Sequence, residues 1–265
     1  MLAAAFDRAK ADGRVAFIPY VMAGDPDIAT TQAILVALAR AGADAIELGI
    51  PYGDPLADGP TVAAAGQRSL AAGTRLTAVL ELIARTVANL PPIILFTYYN
   101  PVDRFGVERF AKAAAEAGAA GAIVPDVALE ESAWLCEALR AEGLAMPLLV
   151  APSTPRERAA RIAEATTGFI YVVSRLGVTG AGTAPDLTPL RRQLGMLREL
   201  TDKPLAVGFG ISCAADVAPI AALADGVVVG SALINAYGGS KGDEAAQRVR
   251  DFVVPLIAAA RKEPG

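Results

Sequence analysis

Eight short apolar, β-rich runs, each followed by a stretch of helical periodicity, set the tightest limit on what this chain can fold into. The runs are VAFIPYV (15–21), AIELG (45–49), IILFTY (93–98), GAIV (121–124), PLLVA (147–151), FIYVV (169–173), LAVGF (205–209) and GVVVG (226–230). They are apolar throughout rather than alternating, which is the pattern of parallel strands covered on both faces. Between them apolar residues recur three and four apart, as at Leu76, Val79, Leu80, Ile83 and Val87, the spacing of an amphipathic helix. Strands alternating with helices, with no break in composition, predict an α/β protein: a closed (β/α)8 TIM barrel forming one domain over residues 1–265. An open doubly wound sheet is the alternative. It is disfavoured because the first strand runs into AGDPD (23–27) and not into a G-x-G-x-x-G loop. An extra N-terminal helix over 2–12 is expected to cover the barrel bottom, and a last helix to run from about Asp243 to Arg261. Ser153-Thr154-Pro155 and Thr188-Pro189 each read as a capping hydroxyl ahead of a first-turn proline.

Composition narrows the chemistry. Hydrophobic residues make up 54% of the chain, yet no apolar run approaches the roughly 18 residues of a membrane span. The net charge is −4 with no dense Lys/Arg block, so neither nucleic acid nor membrane is an expected partner. MLAAAFDRAK places Asp7 and Arg8 too early for a secretion signal, and a cytoplasmic protein is expected. Cys136 and Cys213 make no disulfide framework and read as packing residues, with Cys213 near a helix start. There is no histidine at all, which excludes Ser-His-Asp triads, histidine proton shuttles and histidine-ligated metals. No metal and no cofactor is expected. Five lysines remain, Lys10, Lys112, Lys203, Lys241 and Lys262. All fall on helices, loops or a terminus, so none is placed to hold a substrate as an imine. The chemistry is left to carboxylates, tyrosine and backbone dipoles.

In a barrel the site forms at the C-terminal ends of the strands. In AIELGI, Ile46, Leu48 and Ile50 share one face and Ala45, Glu47 and Gly49 the other. With the large apolar residues turned to the helices, Glu47 points into the barrel near its rim, where burial raises its pKa into the range of a general acid–base. A structural ion pair is the other reading, but no Lys or Arg lies at an inward position on a neighbouring strand. The following loop PYGDPLADGP (51–60) carries Asp54 and Asp58. Turn formation is the default role for each, and periodicity does not choose between them for catalysis. GFGIS (208–212) after strand seven and Gly230-Ser231 after strand eight read as a phosphate site, the latter opening a short phosphate-binding helix. SRLGVTGAGTAPD (174–186) reads as a lid. Tyr171 alternates with Ile170 and Val172, so its hydroxyl faces either the site or a satisfied core position.

AIELGIPYGDPLADGPTV, YVVSRLGVTG, VGFGIS and GSALI, with AFIPYVMAGDPD and TYYNPVDRFG, resemble the motifs of the tryptophan synthase alpha chain family over about residues 14–236. The resemblance implies retro-aldol cleavage of indole-3-glycerol phosphate to indole and glyceraldehyde 3-phosphate. It implies Glu47 as the acid–base at indole C3, Asp58 as the group at the ring N–H, and Tyr171 lining the catalytic site. It further implies phosphate contacts from Gly180, Phe209, Gly210, Gly230 and Ser231, and an indole pocket of Tyr20, Phe96 and Ile123, although the family often has phenylalanine where Tyr20 stands. A pyridoxal-phosphate beta chain is the implied partner in an α2β2 heterotetramer, with Asp54 and Asn100 on the facing surface. A free-standing lyase that releases indole shares the same catalytic pair, and a non-catalytic regulatory subunit is a third reading.

Overall fold

The computed structural model describes residues 1–174, 186–208 and 210–261. Its eight strands are β1 (Ala16–Met22), β2 (Ile46–Gly49), β3 (Ile93–Phe96), β4 (Gly121–Ile123), β5 (Leu149–Val150), β6 (Ile170–Val173), β7 (Leu205–Gly208) and β8 (Gly226–Val229). Every ladder between them is parallel, and β1 pairs with both β2 and β8. The barrel closes where Gly121 bridges Ala145: the Ala122 N–H donates to the Ala145 carbonyl at 2.9 Å and the Ala145 N–H to Ala120 at 3.0 Å. A Cβ on Gly121 would overlap that carbonyl oxygen, so this seam requires glycine.

Strand alternation sorts the side chains into two cores. Ile46, Leu48, Ile93, Leu95, Val172 and Val207 face outward into the layer shared with the helices. Ile18, Ala45, Ile94, Ile123, Phe169, Ala206 and Val228 fill the interior with Leu2, Phe6 and Ala9 from the N-terminal helix Leu2–Ala11. That helix plugs the barrel bottom as its position in the sequence predicts. Phe6 lies 5.4 Å from Phe169, and a Cβ on Gly226 would come within 2.9 Å of the Phe6 ring. The last helix, Gly242–Ala259, seals the outside, and the Ala260 carbonyl accepts from Val15 N–H at 2.9 Å. None of the helices in the described residues is long and apolar enough to cross a membrane.

Two local expectations are corrected. β5 is only two residues long: Pro147 has no N–H for a ladder, and the Ala151 N–H turns back to Thr154 Oγ1 at 3.0 Å. Neither expected hydroxyl cap forms. Thr154 is used in that turn, and the helix Thr188–Arg198 begins with the Thr188 N–H donating to Asp186 at 2.9 Å. A carboxylate two residues upstream has taken the role given to the Thr188 hydroxyl.

Candidate active site

A cavity of about 310 Å³ opens at the C-terminal ends of the strands, and Tyr20, Glu47, Asp58, Phe96, Tyr171, Gly210, Gly230 and Ser231 all line it. The strand register brings them there. Glu47 lies level with Tyr20 on β1 and Ile94 on β3, and Phe96 one step higher is level with Gly49. Glu47 is 1% exposed. Its Oε1 has no hydrogen-bond partner among the described residues, and burial pushes its carboxyl up to about 8. A buried polar atom without a partner costs free energy unless something else uses it.

Asp58, on the loop after β2, also lines the cavity. Tyr98, just beyond β3, donates its hydroxyl to Asp58 Oδ1 at 2.8 Å and accepts from the Ala57 N–H at 3.2 Å. Burial raises the Asp58 carboxyl, and the Tyr98 hydrogen bond pulls it partly back. Tyr20 packs edge-on against Phe96 with centroids 5.6 Å apart. Its phenol is held well above its ordinary value by burial first, then by the charges of Asp58 and Glu47 among others. Tyr171 is likewise raised, by burial and then by Glu47. Both phenols lie where a strand ends in glycine: a Cβ on Gly49 would overlap the Tyr20 ring, and one on Gly208 the Tyr171 ring.

The opposite end of the cavity is built from backbone. Gly210 has φ +81°, a left-handed conformation that suits glycine. Gly230 precedes the helix Ser231–Tyr237, where the Leu233 N–H donates to the Gly230 carbonyl at 2.9 Å. Gly230, Ser231 and Ala232 line the cavity, and the first N–H groups of a helix have no acceptor within it. Gly180 and Phe209 lie outside the described residues, as does most of the expected lid. Ile123 is fully buried in the interior core but does not line the cavity. Asp54 and Asn100 are exposed and do not line the cavity. Cys213 is the N-cap of helix Ala214–Ala221, and its Sγ lies 3.4 Å from Asp216. Among the described residues no group of three or more His, Cys, Asp and Glu is placed to hold a metal.

The sequence reading missed Tyr98, Val62 and Asn235. Val62 is on a helix with no site signal of its own, Asn235 is a turn beyond the glycine and serine that marked the short helix after strand eight, and Tyr98 is the final residue of an apolar run, where periodicity has stopped. Two adjacent tyrosines at a strand end were the one available signal.

A parallel barrel whose cavity is lined by a buried glutamate with one carboxyl oxygen unpaired among the described residues, a second acid and two strand-end glycines defines an acid–base enzyme of the β/α-barrel class. Comparison with known proteins sharpens this. The family model for the tryptophan synthase alpha chain matches residues 6–260. A tryptophan synthase alpha chain from Gloeobacter violaceus is 46% identical over 99% of this chain and 96% of its own length, and one from Arabidopsis thaliana 44% identical over 98% and 94%. The crystal structure of tryptophan synthase from M. tuberculosis, in an aminoacrylate- and BRD0059-bound form, superposes with TM-score 0.89 at 35% identity, covering 99% of this chain and 98% of that one. The chain belongs to the tryptophan synthase alpha chain family.

Proposed function

We propose that this chain is a lyase that cleaves indole-3-glycerol phosphate to indole and glyceraldehyde 3-phosphate, in the cytoplasm, as a step of tryptophan synthesis. Glu47 delivers a proton to indole C3, and the ring nitrogen becomes the electron sink for the bond that breaks. The Glu47 carboxylate left by that transfer takes the proton of the substrate hydroxyl beside the ring as the C–C bond breaks and the aldehyde forms, so the two proton movements cancel. Asp58 stabilises the cationic ring N–H. Tyr20 and Phe96 flank the ring, and Tyr171 closes the floor beside Glu47. The N–H groups at Gly210, Gly230 and Ser231 take the phosphate, together with Gly180 and Phe209. A beta chain in an α2β2 assembly takes over the indole, docking on the side of Asp54 and Asn100.

The observation that carries this reading is the Glu47 carboxyl: buried, with Oε1 partnerless, and raised to about 8. Such a group is protonated at neutral pH and able to act in both directions. The test is indole release by wild type and Glu47→Gln, each with and without a beta chain. The variant is expected to lose about 10²–10⁴-fold in kcat, with the beta chain accelerating wild type alone. Equal rates for the two would make Glu47 structural and overturn the mechanism. Fast turnover by isolated wild type would instead favour a free-standing lyase.

A further inference from the structure

The turn after β1 holds a buried carboxylate that the chemistry above leaves unused. Asp25 is fully buried. It accepts from Arg68 Nε at 2.7 Å, Arg68 Nη2 at 2.8 Å and the Tyr237 hydroxyl at 3.0 Å. A charge this deep is tolerable only when paired and hydrogen-bonded, and here the partners come from two separate helices. The turn itself is braced: the Gly24 N–H donates to Thr31 Oγ1 at 2.8 Å and the Ser69 hydroxyl to Ala23 O at 2.6 Å.

Both helices start at the cavity. Arg68 lies in the last turn of helix Pro60–Ala71, which the chain enters directly from Asp58 and Gly59. Tyr237, itself fully buried, ends helix Ser231–Tyr237, which begins after Gly230. Gly59 and Val62 from the first, and Ser231 and Ala232 from the second, line the cavity. An α-helix of two or three turns is stiff and rises about 1.5 Å per residue. Holding the far ends of both helices on one carboxylate therefore sets where their near ends stand.

We propose that Asp25, Arg68 and Tyr237 are positioning residues that fix the separation between Asp58 and the phosphate-binding N–H groups of Gly230 and Ser231. The proposal rests on the reaction proposed above. The two arms separate: Tyr237 governs the grip on phosphate, and Arg68 governs the placement of Asp58.

Tyr237→Phe keeps the buried ring and removes one hydrogen bond. It is expected to raise KM for indole-3-glycerol phosphate about tenfold. The inhibition constant for inorganic phosphate should rise by the same factor, and kcat should stay within about twofold. Arg68→Lys, which retains the charge but cannot make the bidentate contact, should lower kcat and leave phosphate inhibition unchanged. A purely structural network would lower the melting temperature of both variants without moving KM or phosphate binding in Tyr237→Phe, and that result overturns the proposal. Wild-type turnover tests the reaction itself. Direct titration of wild type and Tyr237→Phe with inorganic phosphate needs no turnover, so the clamp is tested even if the reaction is wrong.

Discussion

Glu47 spends stability to hold a proton. Its carboxyl moves from an ordinary 4.5 to about 8 on folding, so between those values the folded chain binds a proton that the unfolded chain has lost. Folding stability from this group is therefore undiminished below pH 4.5, falls as pH rises, and levels off above 8. The cost is about 3 kcal/mol at pH 7 by linkage. Glu47→Gln cannot titrate, so its stability relative to wild type should climb steadily from pH 4.5 to 8 in denaturant midpoints. A flat difference across that interval would mean that Glu47 is not raised. The sequence carried this residue through alternation alone: three large apolar neighbours turned outward leave the glutamate nowhere but in. Absence of histidine then makes a carboxylate the natural acid–base.

At the scale of elements, the loop between β2 and the helix Pro60–Ala71 is held by a residue it does not contain. Tyr98, at the end of β3, fixes both Ala57 and Asp58. Its hydrogen bond keeps Asp58 lower than burial alone would, so Tyr98→Phe should raise the Asp58 pKa. The acid limb of the kcat/KM profile should move to higher pH, with a loss of about tenfold near neutrality, equivalent to about 1.4 kcal/mol. An unmoved acid limb would show that Tyr98 supports the loop without tuning its charge. Contacts of this kind were illegible beforehand, because 40 residues separate the partners and nothing local marks them. The same holds for Asp25 and Arg68, 43 residues apart. AGDPD shows in the sequence as a turn that is not a dinucleotide loop, and Arg68 as a polar helix residue. The strands were legible because burial on both faces leaves a continuous apolar signature. The caps were not, because Asp186 and the Thr188 hydroxyl are both competent and only the backbone decides between them.

Over the whole molecule, stability and chemistry occupy opposite ends of one barrel. Phe6 and Leu2 fill the bottom, and Glu47, Asp58 and the glycines that line the cavity sit at the top. Phe6→Ala should cost about 3–5 kcal/mol as a lower thermal or denaturant midpoint, while KM for indole-3-glycerol phosphate at 25 °C stays near wild type. A changed KM would mean that the interior transmits strain from floor to rim. The layers between those ends, with Ile18, Ile94, Phe169 and Val228 packed on the helix plug, make the barrel a cup and not a pipe. Traffic therefore runs one way in and the same way out. An aromatic product released beside Glu47 cannot drain through the base. Under the function proposed above, a catalyst that takes up the indole would stand above the mouth, the side that the filled floor leaves open.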